Sequence, residues 1–117
     1  MSLSPKARER LAHLRESYRR SLDDKRIAID AAHRAAVTAD FAPEALAEFR
    51  HLIHKLAGSA GTYGFDDVFR CADTLEGTLK ALQDGQGERA ALIARMERQH
   101  TALMAALRAA VAGNNCA

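Results

Sequence analysis

Two histidines three residues apart, His51 and His54, stand just before a run of small residues, Ala57-Gly58-Ser59-Ala60-Gly61. Imidazole has an unperturbed pKa near 6.5, so near neutral pH much of it is neutral and can act as a nucleophile, a proton carrier or a metal ligand. What separates these uses is what lies around the ring. Leu46, Phe49, Ile53, Leu56 and Ala60 recur at steps of three and four, which makes one core-facing stripe of an α-helix. His54 falls just beside that stripe, on a face shared with Ala47, Arg50, His51, Ala57, Gly58 and Gly61. Beyond the histidine this face is almost free of bulk. A glycine inside a helix costs about 1 kcal/mol relative to alanine, so Gly58 calls for a reason. A steric one fits: with no side chain there, the imidazole edge of His54 stands open to a large incoming group.

The competing uses find less support. His51 and His54 at a spacing of three can both reach one ion, but no carboxylate or cysteine completes the set on this face, and Glu48 lies off it. No metal ligand set is therefore assigned. A metal-binding bundle using His51, His54 and His100 ranks third among the readings. His100 falls on the inner stripe of the last helix and reads as a core or rim residue, whereas His13 and His33 carry no constellation and read as surface. Gly58-x-x-Gly61-x-x-Gly64 matches neither the P-loop nor the dinucleotide-binding glycine pattern, so the chain is not expected to use ATP itself.

The elements that must hold these residues follow from periodicity. Ser4-Pro5 is a serine cap with proline at the first helical position. Ala7, Leu11, Leu14, Tyr18 and Leu22 form a narrow stripe, and Ser21-Leu-Asp-Asp24 resembles a second cap, which predicts a break or bend near residue 21. Ile29, Ala32 or His33, and Ala36 supply the inner face of the next stretch. Asp40-Phe-Ala-Pro43 ends it, and Pro43 with Glu44 opens the histidine helix, over 43–61. Gly64 is its expected left-handed cap. Phe65, Val68, Ala72, Leu75, Leu79 and Leu82 mark a helix over 65–83, Asp84-Gly-Gln-Gly87 a turn, and Leu92 or Ile93, Met96, His100, Leu103, Leu107 and Val111 a last helix over 88–112. Gly113–Ala117 reads as a frayed tail. Long amphipathic helices on short connections predict an all-α fold: an antiparallel up-down four-helix bundle with an N-terminal helical extension in residues 1–40.

Composition sets the outer bounds. The 117 residues suit one domain, and 48% hydrophobic with 27% charged residues is the profile of a globular protein. Seventeen basic against fifteen acidic residues give a net charge of +2, too even for a dedicated nucleic-acid binder. No apolar run reaches a membrane span and no secretory signal opens the chain. Cys71 and Cys116 fit neither a metal spacing nor a disulfide framework, so free thiols and a cytoplasmic location are expected.

His54-Lys55-Leu56-Ala57-Gly58-Ser59, followed by small residues and then Gly64, resembles the signature of the histidine-containing phosphotransfer (HPt) domains of phosphorelays, roughly His-x-Leu-Lys-Gly-Ser. The resemblance implies that His54 accepts a phosphoryl group, on Nε2, from a receiver-domain aspartate and passes it to another receiver. Its implied partners are the receiver domains of response regulators and hybrid histidine kinases. It implies no cofactor of the chain's own, with Mg²⁺ supplied by the receiver, and a monomeric carrier that is not an enzyme. Where the family often places a lysine, three residues after the histidine, this chain has Ala57. Arg50 and Lys55 are the local cations that would support the phosphoryl group in its place. Gly58 would give it room and Ser59 would orient the site. Ala47, His51, Ala57 and Gly61 would belong to the docking surface. The alternative function is a helical module that docks a receiver or kinase without accepting phosphate.

Overall fold

A computed structural model describes residues 3–113; Cys116 and nearly all of the expected tail lie outside that range. Four helices occupy it: α1 (Pro5–Thr38), α2 (Pro43–Thr62), α3 (Asp66–Asp84) and α4 (Arg89–Val111). Among the described residues there is no strand, and no helix is long and apolar enough to cross a membrane. Each helix packs on its two neighbours in the order α1, α2, α3, α4 and back to α1. That is the expected up-down bundle.

The first helix differs from expectation. Ser4 caps it, accepting from Ala7 N at 3.1 Å, but no break follows near residue 21. Ser21 Oγ instead donates back to the Tyr18 carbonyl at 2.6 Å and accepts from Lys25 Nζ at 3.1 Å, while Asp23 pairs with Arg26 one turn on. The reason lies in the core. Tyr18, Leu22, Ile29 and Ala36 are all buried at steps of four and seven, so one helix running uninterrupted through residue 21 keeps them on a single face. The N-terminal extension is thus the free end of α1, not a separate helix. Leu11 and Leu14 on it are exposed.

The α1–α2 turn contains no glycine, yet Asp40 (φ 51°) and Phe41 (φ 58°) are both left-handed. Such residues cost about 1–2 kcal/mol each. Burial of the Phe41 side chain offsets this, and its amide closes the helix end on the Ala36 carbonyl at 2.7 Å. Between α2 and α3 the expected glycine does the work: Gly64 (φ 75°) turns the chain, and Phe65 N reaches the Ala60 carbonyl at 2.9 Å.

The core is built from the predicted stripes. Phe49, Ile53, Leu56 and Ala60 of α2 meet Val68, Ala72, Leu75 and Leu79 of α3, with Met96, Leu103 and Leu107 of α4 closing the other side, all of them buried. Each large side chain buried this way contributes about 1.5–3 kcal/mol. His33 corrects its sequence reading. Its side chain is 14% exposed and stacks on the buried His100, with ring centroids 3.9 Å apart.

Candidate functional site

His54 projects from the middle of α2 with its side chain 71% exposed. One ring nitrogen is held: Nδ1 lies 2.8 Å from Oε2 of Glu76, on α3. A carboxylate can only accept a hydrogen bond, so the neutral imidazole carries its proton on Nδ1. Nε2 then keeps its lone pair, and no group among the described residues is bonded to it. Glu76 is itself anchored, with its side chain 18% exposed and Arg50 Nε at 3.8 Å from the same oxygen. Arg50 also donates from Nη1 to Gln83 Oε1 at 2.6 Å, which ties the guanidinium to α3. The result is a ring of fixed tautomer and fixed direction, on rigid helices, with its nucleophilic edge toward solvent.

Glu76 escaped the sequence reading, although a signal for it was there. Helices α2 and α3 fold back on each other about a turn near Phe65. His54 lies eleven residues before Phe65 and Glu76 eleven after it, so an antiparallel hairpin sets them side by side. Gly61 and Phe69, four residues to either side of Phe65, obey the same relation and touch.

The surroundings sort the other expected residues. Ala47, Arg50, His51 and His54 do come together, and with Glu76 and Gln83 they line a shallow basin of about 310 Å³. Gly58 faces open space; a Cβ built there meets nothing within 4 Å. Four expectations change. Ala57 is buried in the core and offers no surface to a partner. A Cβ on Gly61 would press on the Phe69 ring at 3.3 Å, so this exposed glycine also serves the close contact between α2 and α3. Ser59 does not touch the His54 ring: its hydroxyl bonds Tyr18 Oη at 2.6 Å and the Leu56 carbonyl at 3.3 Å, fastening α2 to α1. Lys55 turns away from the basin.

Lys55 borders an apolar groove of about 420 Å³ between α1 and α2, together with Lys25, Ile29, Leu52 and Tyr63. This groove is larger than the basin, yet two of its hydroxyls, on Tyr18 and Ser59, are already bonded to each other. The solvent-facing edge of His54 lies in the shallower basin beside it. Above the groove, Arg15 Nε donates to the Tyr63 carbonyl at 3.0 Å and its guanidinium covers the Phe65 ring at 4.2 Å, sealing the α2–α3 turn against α1.

No curated protein and no solved structure matches this sequence. A family model does: the model described as Hpt domain matches residues 4–111, nearly the whole chain and all four helices. With a helical bundle that presents a solvent-facing histidine from one of its central helices, the chain belongs to the Hpt domain family, histidine phosphocarriers that engage the receiver domains of two-component phosphorelays.

Proposed function

We propose that His54 is the phosphoacceptor and that its Nε2 takes a phosphoryl group from the phospho-aspartate of one receiver domain and yields it to another. The observation that carries this is the Nδ1–Glu76 hydrogen bond, which leaves an exposed lone pair on Nε2. In the forward step that lone pair attacks phosphorus. The bond from phosphorus to the aspartyl oxygen breaks, and its electron pair leaves with the carboxylate. The ring, now substituted on Nε2 and still protonated on Nδ1, acquires a positive charge. Glu76 lies against that charge and stabilises it. The return transfer is the same path reversed, so no proton has to enter or leave.

Such transfers are mostly positioning and charge neutralisation. The receiver is expected to bring the Mg²⁺ and the acidic pocket, and this chain brings nucleophile, counter-charge and docking surface. Arg50, beside the ring, is the cation placed to meet the phosphoryl oxygens; the Lys55 side chain lines the neighbouring groove and serves contact with the partner. Open space at Gly58 admits the receiver's phosphorylated loop.

Phosphorylation by phosphoramidate, followed by intact mass measurement, tests this on wild type, His54→Gln and His51→Gln. The expected result is one acid-labile, base-stable phosphoryl group that disappears only in His54→Gln. An unphosphorylated but folded wild type would leave the second function: a docking module for a receiver or kinase that does not accept phosphate.

A further inference from the structure

On the far side of the bundle from Glu76, four side chains of α1 and α4 converge. Asp30 and His33 lie three apart on α1, and Glu97 and His100 three apart on α4. An acid and a histidine at this spacing on one helix face is a way for a bundle to offer two ligands to one ion. The pairs are crossed: His33 Nε2 lies 2.9 Å from Glu97 Oε1, and His100 Nε2 lies 3.1 Å from Asp30 Oδ1. One ligand atom from each of Asp30, His33 and His100 lies within 4.8 Å of the others. The imidazoles stack nearly parallel, at 13°, with Phe49 set edge-on to both. His100 is buried, and among the described residues its Nδ1, the nitrogen turned away from Asp30, has no hydrogen-bond partner.

We propose that Asp30, His33, Glu97 and His100 form a binding site for one divalent transition-metal cation of the Zn²⁺ class, which clamps α1 to α4. Two imidazole nitrogens and two carboxylate oxygens are a donor set suited to Zn²⁺, and two negative charges balance the ion. Metal–ligand bonds of about 2.0–2.2 Å place tetrahedral ligand atoms roughly 3.3–3.6 Å apart. The hydrogen-bonded pairs therefore part by a few tenths of an ångström, the rings splay, and Glu97, which lies outside the Asp30–His33–His100 trio, moves in toward Asp30 and His100. As the metal takes Nε2, the proton that each neutral ring now shares there with its carboxylate moves to Nδ1, so both rings stay neutral ligands. Burial holds His100 below the ordinary histidine range, partly opposed by its bond to Asp30, which keeps the ring neutral as a ligand must be. The acids are 36% and 46% exposed at their side chains, which gives an ion a way in.

The test uses the full chain stripped with a chelator, titrated with Zn²⁺ by calorimetry and with Co²⁺ by visible absorption. One equivalent should bind, with the intense bands of tetrahedral Co²⁺. At free Zn²⁺ about 100-fold above Kd, Tm should rise by roughly 10 °C. His33→Gln, at the more exposed of the two histidines, and Glu97→Gln, at the more exposed of the two acids, should each weaken binding by roughly 100-fold or more, while His51→Gln and His54→Gln leave it unchanged. Absence of one-to-one binding in wild type overturns the proposal and leaves a purely hydrogen-bonded cluster. So does binding that survives both His33→Gln and Glu97→Gln, or that is lost with His51→Gln or His54→Gln.

Discussion

His54 and His100 hold their carboxylates in nearly the same way, at 2.8 Å from Glu76 and 3.1 Å from Asp30. In both, an acid on a neighbouring helix fixes the ring. The difference is exposure: the His54 side chain is 71% accessible and that of His100 is 6%. The first pair joins α2 to α3 at the surface and directs a free nitrogen outward. The second joins α1 to α4 inside the bundle and leaves its spare nitrogen facing protein. The same pairing of acid and imidazole, through Nδ1 in one and Nε2 in the other, serves the proposed phosphoacceptor in one place and ties two helices in the other, and solvent access separates the two.

The largest effect that separates the two belongs to His54→Gln. It should abolish phosphorylation while leaving stability within about 0.5 kcal/mol of wild type, as expected at an exposed position. Phosphate retained in that variant, read by intact mass, would break the comparison outright. Gly58→Leu comes next. With open space at that position the protein should fold normally and still take phosphate from phosphoramidate, but transfer from a receiver should fall by at least roughly 100-fold. Equal loss with the small donor would mean that the substitution damages His54 itself.

Glu76→Ala should slow phosphoryl transfer roughly 10- to 100-fold, because the ring loses its orientation and its counter-charge together. A rate within twofold of wild type, in rapid-quench measurements, would make the carboxylate incidental. His100→Ala should do the reverse of His54→Gln. Phosphorylation persists, and stability drops by about 2 kcal/mol, a fall of roughly 8 °C in Tm.

The smallest effect is a slope with pH. Burial lowers the His100 pKa, so the folded ring resists a proton that the unfolded chain accepts near pH 6.5. The unfolded state then binds more protons as pH falls below that value, and stability declines toward acid. Asp30, held below the usual carboxylate range first by its bond to His100, adds to the same decline where its unfolded form titrates, near pH 4. Denaturant midpoints between pH 7 and 5 should therefore fall more steeply in wild type than in His100→Ala. Parallel lines would remove His100 as the cause.

Much of this architecture was legible in the residues. The stripes of α2, α3 and α4 bury as their spacing requires, and Gly64 turns where a left-handed residue was needed. The misreadings share one cause. Ser21-Leu-Asp-Asp24 carries a local cap signal, but Leu22 within it is buried on the same face as Tyr18 before it and Ile29 after it, which demands one continuous helix. His33 and Glu76 acquire meaning only through partners 64 and 22 residues away. Ser59 follows the same rule, since its bond is to Tyr18 across the groove. A helical period states which face a residue occupies. It does not state which neighbour waits there, and the register between helices decides that.

The unbroken α1 also governs how the molecule moves in solution. Its 34 residues set a body of 51 × 27 × 23 Å, about twice as long as it is wide. Such a rod spins readily about its long axis and turns end over end more slowly. Amide bonds in helices aligned with that axis are reoriented only by the slower rotation, so their ¹⁵N transverse relaxation should exceed that of the short connections between helices. A receiver seated on the flank beside His54 would thicken the rod and reduce this difference. Relaxation anisotropy across the helical amides would then report docking without a label near the reactive nitrogen.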